Sequence, residues 1–419
     1  MTRAVSQNVR RIRPHNPMPE SRYEVLALFA SAMVAASLFV VATGTLTPFL
    51  VTAFHLGQTE AGLVFSVQMI GSLLATGIAG ALTDRFGDKA VVLWSGWFMG
   101  VALVCAAAVE NFHWLIAWLM VYGIGFAAVT PAGSHAIVFF FKKEDRGLAM
   151  GIRQCGVPLA GVLGSILLPA VALHFGYRWS LVTAGVVTIA TCSIASLLYR
   201  QPVELSGERV SLRTMVVEML EISRNAQLIL ITLASMTLVC AQMVMLAFLT
   251  MTLVHEAAFV VAAAVGVFTL SQVAAIVGRL SWGWSSDKIF RGNRAWPLVA
   301  AGIISAASAL VTSLLTPQTP LWGIYVLAAV LGFAAEGWFG VGVIAIAEIG
   351  GEEHSGSALG VGLTWIFFAA FAAPTIFGAL AQTHGFPFAW RSIALLAIAG
   401  TVPALLATGI LARRPDAHA

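Results

Sequence analysis

The chain has 419 residues, of which 59% are apolar and only 10% are charged. Soluble globular domains carry about 25% charged residues, so this composition argues against a soluble protein and excludes disorder and nucleic-acid binding. The four cysteines lie singly inside apolar runs, a pattern that predicts neither a disulfide framework nor a metal site, and no segment predicts a bound cofactor.

Twelve apolar runs follow one another along the chain. A helix needs about 20 mostly apolar residues to cross roughly 30 Å of hydrocarbon, and each run meets that length. The pattern predicts an all-α polytopic membrane protein with spans at residues 25–54, 59–82, 88–108, 114–140, 145–173, 178–199, 225–254, 257–285, 295–315, 320–347, 355–382 and 388–411.

The longest polar interval separates the first six spans from the last six. It predicts five parts: an N-terminal tail at 1–24, a six-helix half at 25–199, a central loop at 200–224, a second six-helix half at 225–411, and a tail at 412–419.

The basic residues predict the orientation. If both ends lie on one side of the membrane, that side collects 19 of the 23 Lys and Arg residues, and the opposite side has 2. Positive residues concentrate in cytoplasmic loops. We therefore expect cytoplasmic tails, a cytoplasmic central loop and a multi-pass protein of the plasma membrane, which is the inner membrane of a bacterial cell.

The two halves share landmarks at nearly constant spacing. The segment Gly-Phe-Ala-Ala at 125–128 recurs at 332–335, an offset of 207 residues, and two glycines that bracket span 5 recur around span 11 at an offset of 209. A duplicated six-helix unit is predicted. Parallel repeats of this kind place a substrate site between the halves near the bilayer midplane.

Residues 80–89, Gly-Ala-Leu-Thr-Asp-Arg-Phe-Gly-Asp-Lys, resemble the signature of the loop between helices 2 and 3 in the major facilitator superfamily. Asp88 stands where a basic residue is usual, and residues 283–288 resemble a degenerate second copy. The resemblance implies the two-half major facilitator fold, alternating access by rocking of the halves, and a cytoplasmic latch between them. The latch residues would be Gly80, Asp84, Arg85, Gly87, Lys89, Gly283, Asp287 and Lys288.

Three fully charged side chains lie well inside predicted spans: Arg153, Arg279 and Glu336. Each costs about 2.5–3.5 kcal/mol at a helix centre on insertion scales, so a functional role is the default expectation. Each arginine lies eight residues from an aspartate at the cytoplasmic end of its span. Two guanidinium groups at matched depth favour an anion between them, because the planar fork of arginine fits a carboxylate.

The segment Arg279-Leu280-Ser281-Trp282-Gly283 resembles helix 8 of the monocarboxylate and oxalate/formate carriers. There, an arginine four residues before a glycine binds the substrate carboxylate, and this role is carried onto Arg279. The acidic residue of monocarboxylate carriers is replaced by Phe268. Spans 1 and 11 have no lysine, although members of this type carry one in helix 1 or helix 11.

The other site residues are expected from their positions within the predicted spans. Substrate binding would involve Arg279, Arg153, Gln154, Gln272, Trp365 and Phe268. Proton coupling would involve Glu336, with His135 as a second candidate.

The predicted function is secondary active transport of a small organic anion, a monocarboxylate, in symport with protons. The partners would be the anionic substrate, protons and the lipid bilayer, and the chain would work as a monomer. A drug/proton exporter and a carrier of an inorganic anion such as nitrate or cyanate remain open as alternatives. No catalytic motif predicts an enzyme.

Overall fold

The computed structural model describes residues 19–141, 143–200 and 221–412, with some side chains in these ranges left undescribed. The predicted tail residues 1–18 and 413–419 and the central loop residues 201–220 lie outside it. Thirteen helices in the described part are α1 Pro19–Phe54, α2 Gln58–Ala108, α3 Phe112–Phe140, α4 Lys143–Gln154, α5 Gly156–Phe175, α6 Tyr177–Leu198, α7 Ala226–Glu256, α8 Val261–Lys288, α9 Ala295–Thr312, α10 Leu321–Ala335, α11 Phe339–His384, α12 Phe386–Ala399 and α13 Thr401–Ala412.

These helices confirm the all-α polytopic fold. Eleven segments within the described residues are long and apolar enough to cross a membrane. The remaining predicted span, 59–82, lies in the first part of α2. The helix α1 begins at Pro19, six residues before the predicted span, and proline suits this first helical position because its missing N–H has no partner there in any helix.

Glycines make the sharp turns between several spans. The helix α2 contains two spans joined at Gly87, whose φ of 77° is outside the helical range. Gly176 and Gly385, at an offset of 209, join α5 to α6 and α11 to α12 with φ of 89° and 83°. This region of φ is open to glycine and strained for other residues. The same backbone conformation at equivalent turns supports the predicted repeat.

Three predicted spans are each divided by a break. Span 5 breaks at Cys155, and span 12 breaks at Gly400. Each of these breaks lies three residues before a proline, Pro158 or Pro403. A proline ring clashes with the carbonyl four residues earlier and leaves it without an N–H donor. Span 10 breaks at residues 336–338, where Gly337 lowers helix propensity.

We call α1–α6 the N-half and α7–α13 the C-half. The end of the bundle where α1 begins is the tail end, and the opposite end is the far end. Most of the contact between the halves is made by three helix pairs, α2 with α11, α5 with α8, and α1 with α7. Small residues permit this approach: a Cβ at Gly44 would overlap the carbonyl of Leu246, and a Cβ at Gly62 would overlap that of Pro374.

Candidate functional site

The break in span 10 places a carboxylate inside the bundle. Glu336 follows the last residue of α10 and is fully buried. Two indole N–H groups satisfy carbonyls near the break: Trp338 donates to Ala335 at 3.0 Å and Trp282 donates to Phe333 at 3.0 Å. Irregular backbone at membrane depth is tolerated where protein groups satisfy it, and broken helices often mark transport sites.

Arg279 on α8 pairs with this carboxylate. Its Nη2 lies 3.3 Å from Oε1 of Glu336, and the side chains are 6% and 0% exposed. The guanidinium also lies 5.9 Å from the ring centroid of Phe339, at the start of α11. Removing one partner from a buried ion pair typically costs 3–5 kcal/mol, because the other charge is left uncompensated.

The second nitrogen of Arg279 reaches across to the N-half. Its Nη1 donates to the backbone carbonyl of Gln154 at 3.1 Å. In a regular helix that carbonyl would accept from the N–H of residue 158, but residue 158 is proline and has no N–H. Pro158 therefore leaves the Gln154 carbonyl available, and Arg279 of the opposite half supplies its donor.

Gln272 lies seven residues before Arg279, on the same face of α8. Its side chain is fully buried and lies beside the Glu336 carboxylate, but neither amide atom makes a hydrogen bond of good geometry among the described residues. It packs against Gly161 of α5, where a Cβ would overlap the amide. Oε2 of Glu336 and Nε of Arg279 likewise lack partners. Buried polar atoms normally have partners, so this group can accept a polar ligand.

Arg153 has different surroundings. Its Nη2 donates to the carbonyls of Val129 and Thr130, both at 3.0 Å, and its Nη1 donates to Ser134 Oγ at 3.2 Å. These partners lie on α3, within the N-half and next to Pro131. The described hydrogen bonds of the two arginines share no partner: those of Arg153 stay within the N-half, whereas those of Arg279 join the halves.

The other expected site residues are spread out. Gln154 contributes its backbone carbonyl. Phe268 is fully buried in the hydrophobic core, whereas Trp365 is 53% exposed and packs edge-on against Phe368. The side chain of His135 lies outside the described residues. Sequence reasoning missed Gly161, Phe339 and the freed carbonyl, although a proline four residues after Gln154 was a usable signal for the last.

Two residues of the predicted latch, Lys89 and Asp287, contact residues of their own half. Lys89 Nζ donates to the carbonyl of Tyr199 at 3.2 Å. Asp287 pairs with Arg294, which also lies 3.0 Å from Glu348. Burial alone would lower the pKa of Arg294, but hydrogen bonds to Glu348 and Asp287 outweigh burial and raise it. The side chains of Asp84 and Arg85, and the surroundings of Gly80, lie outside the described residues.

The ionisable groups do not suggest a metal centre. Within the described ranges, no group of three His, Cys, Asp or Glu residues could hold a metal ion. The site consists of one guanidinium, one carboxylate, one amide and one backbone carbonyl between two helix bundles. Such a set can bind and release a charged or polar solute.

Known transporters are similar to this chain over different shares of its length. An uncharacterized MFS-type transporter of Mycobacterium tuberculosis is 27% identical over 372 residues, which cover 88% of this chain and 82% of the relative. The multi-drug resistance efflux pump PmrA of Streptococcus pneumoniae is 29% identical over 38% of this chain and 40% of the pump. The 3-(3-hydroxy-phenyl)propionate transporter of Escherichia coli is 25% identical over 62% of this chain and 64% of the relative.

A solved structure supports the fold. A bacterial homolog of the human lysosomal transporter Spinster superposes with a TM-score of 0.78 at 16% identity, covering 96% of this chain and 100% of that one. The sequence pattern of the Major Facilitator Superfamily matches residues 27–328. The twelve-span pattern, the broken helices at the contact between the halves and these similarities agree: the chain is a membrane transporter, not an enzyme, and belongs to the Major Facilitator Superfamily.

Proposed function

We propose that this transporter carries a small organic monocarboxylate together with a proton. The observation that supports the proposal is the buried pair of Arg279 and Glu336, placed where Arg279 also contacts the opposite half. Ionisable side chains inside membrane-spanning segments are energetically costly. Where they occur, they commonly mark a substrate or proton pathway.

In this proposal the substrate carboxylate and Glu336 compete for Arg279. With Glu336 ionised, the two side chains carry no net charge. An anion that displaces Glu336 would leave one uncompensated negative charge in a buried site, which is strongly disfavoured. A proton taken up by Glu336 removes that charge. The substrate and the proton therefore bind together in a ratio of one to one, and the cycle moves no net charge.

The other groups have assisting roles in the proposal. The amide of Gln272, beside Glu336, donates to the bound carboxylate or to a neighbouring polar group, and Gln154 contributes through its carbonyl. Phe339, beside the Arg279 guanidinium, offers an aromatic surface to the substrate. We assign Arg153 a structural role, because it satisfies carbonyls next to Pro131.

The relatives favour an organic acid over an inorganic anion. The Escherichia coli relative is named for 3-(3-hydroxy-phenyl)propionate, which carries one carboxylate and an aromatic ring. The second candidate is a drug/proton exporter, which the similarity to the PmrA efflux pump favours. An exporter of cationic compounds would need an excess of acidic groups at its site, whereas Arg279 and Glu336 balance each other.

We also propose a membrane location, an orientation and an oligomeric state for the protein. We place the chain in the plasma membrane as a functional monomer, with the tail end facing the cytoplasm, because the basic residues concentrate there. A latch between the halves, formed by Asp84 and Arg85, is part of this proposal. Asp287, which pairs with Arg294, instead stabilises the C-half at the tail end.

Uptake into proteoliposomes tests the proposal. Labelled lactate and 3-phenylpropionate are offered with and without an inward proton gradient, and an imposed membrane potential is the second variable. We expect gradient-driven accumulation that the potential does not alter. Nitrate and a cationic dye, offered in parallel, test the alternatives. Uptake of either one in place of both acids would contradict the monocarboxylate proposal.

The variant Glu336→Gln separates binding from coupling, because the amide resembles the protonated acid in shape and charge. We expect it to exchange labelled for unlabelled acid across the membrane, but to lose accumulation against a gradient. The control variant is Gln68→Met. It removes a buried amide of the N-half that donates to Thr43 and to the Val64 carbonyl. A Glu336→Gln variant that still accumulates substrate would remove Glu336 from proton coupling.

A further inference from the structure

At the far end, the first turn of α2 depends on a residue of the opposite half. Gly57 occupies the N-cap position of α2 and has no side chain to accept a first-turn N–H. Oε1 of Gln382, near the end of α11, accepts the N–H of Thr59 at 3.2 Å and its hydroxyl at 2.7 Å. The C-half thus caps a helix of the N-half.

The contact around this cap is close and direct. A Cβ at Gly378 would overlap the carbonyl of Gln58, so the α11 backbone lies against the start of α2. One turn further in, Thr375 Oγ1 donates to Ser66 Oγ at 2.9 Å. These contacts fix the register of α2 on α11 and hold Gln382 over the N-terminus of α2.

We propose that Gln382 acts as a gate residue, which supplies the missing N-cap of α2 only while the far end is closed. A transporter that alternates access must separate α2 from α11 to open this end. Thr59 then loses its acceptor, and Gly57 cannot replace it. Glu60, which accepts the Gly57 N–H at 2.8 Å within the same turn, is unaffected by opening. Gln382 therefore stabilises the closed far end relative to the open one.

Gln382 would act in this way during the transport cycle whatever the substrate. Because Gln382 is exposed and Thr59 is half-buried, the expected effect of removing the cap is a three- to tenfold shift toward the open far end. Since a tenfold change in an equilibrium constant is 1.4 kcal/mol, this shift is about 0.7–1.4 kcal/mol, within the range typical of N-cap side chains.

The experiment measures the distance between spin labels on the two halves at the far end. The labels are placed at Glu110 and Gln318, exposed loop positions of the N-half and the C-half. The protein is reconstituted in lipid nanodiscs, and its native cysteines are first replaced by serine: Cys105, Cys155, Cys192 and Cys240. We expect Gln382→Ala to raise the ratio of long to short distances about three- to tenfold.

The control is the next residue on the same helix. Thr383 is also exposed, and its described hydrogen bonds stay within the last turns of α11. We expect Thr383→Ala to leave the distance distribution unchanged. Equal distributions for Gln382→Ala and the parent protein would overturn the proposal, as would equal shifts in Gln382→Ala and Thr383→Ala.

A second background distinguishes capping from simple packing. Gly57→Asn supplies a cap within the N-half, since Asn is among the preferred N-cap residues and the φ of −75° at Gly57 accepts it. Its Cβ would lie 3.1 Å from Gln382 Oε1, so the flexible end of Gln382 must shift slightly, and Gln382→Ala removes that contact. In this background α2 stays capped whether the far end is open or closed. We expect Gln382→Ala to have no further effect there. An undiminished effect would show that Gln382 acts by another contact, and would overturn the capping role.

Discussion

Replacing Arg279 by lysine keeps the positive charge of the site and removes the planar fork. In the structure, two nitrogens of Arg279 serve two partners on different helices, the Gln154 carbonyl at 3.1 Å and Glu336 at 3.3 Å. Lysine has a single nitrogen on its stem and cannot reproduce the fork. The same loss applies when a substrate carboxylate takes the place of Glu336.

The size of the effect follows from one lost hydrogen bond. A hydrogen bond to a charged group contributes about 1.5–3 kcal/mol. Since 1.4 kcal/mol is a factor of ten, Arg279→Lys should weaken apparent substrate affinity about 10- to 150-fold. The assay is the concentration dependence of labelled 3-phenylpropionate exchange in proteoliposomes, with the amount of correctly inserted protein measured separately.

Arg153→Lys is the matched control, because Arg153 is a buried arginine whose described oxygen partners lie on α3 and whose other described partners also lie in the N-half. We expect this change to reduce thermal stability, while the apparent affinity stays within about twofold of the parent, since no substrate-binding group is altered. Near-normal affinity in Arg279→Lys would refute the role of Arg279 as a carboxylate-binding fork. A large loss of affinity in both variants would instead refute the separate assignment of Arg153.

Two further predictions concern the contact between the halves. Pro158→Ala restores an N–H that competes for the Gln154 carbonyl, so the Arg279 contact between the halves weakens. Cys155 lies at this contact, and we expect the gain in access to outweigh the loss of the nearby Arg279 charge, so that Cys155 is alkylated at least threefold faster. Pro169→Ala is the control and should leave the rate unchanged. Gly161→Ala introduces a Cβ that overlaps the Gln272 amide, and overpacking typically costs about 1–3 kcal/mol, so we expect exchange to fall about tenfold or more. Gly151→Ala, at an open position of α4, should leave exchange unaltered; equal activity of the two alanine variants would argue against a tight Gly161 contact.

The general architecture could be predicted because it depends on patterns within the chain. Span length follows from the thickness of hydrocarbon, and the turns at Gly176 and Gly385 follow from glycines at a constant offset. The site could be predicted less well, because the rotation of a helix is not readable from depth alone. Arg153 and Arg279 lie at matched depth, yet Arg153 turns toward α3 and Arg279 turns toward Glu336.

The breaks within spans 5 and 10 illustrate the same limit. An uninterrupted apolar run predicts a continuous helix, and nothing in the run itself indicates that Arg279 will satisfy the carbonyl that Pro158 leaves free. The partners of that carbonyl and of Glu336 lie more than 50 residues away along the chain. Such pairings arise from the packing of the two halves and become visible only in three dimensions.

The single-residue turns at Gly176 and Gly385 bear on how the protein is made. With one residue between them, α5 and α6 leave no polar loop, and neither do α11 and α12. A one-residue connection leaves no segment that could be translocated separately after the first helix. Each pair should therefore enter the bilayer as a preformed helical hairpin, and each such hairpin completes one half of the bundle. We therefore expect a bulky residue at either glycine to lower the efficiency of membrane insertion during synthesis.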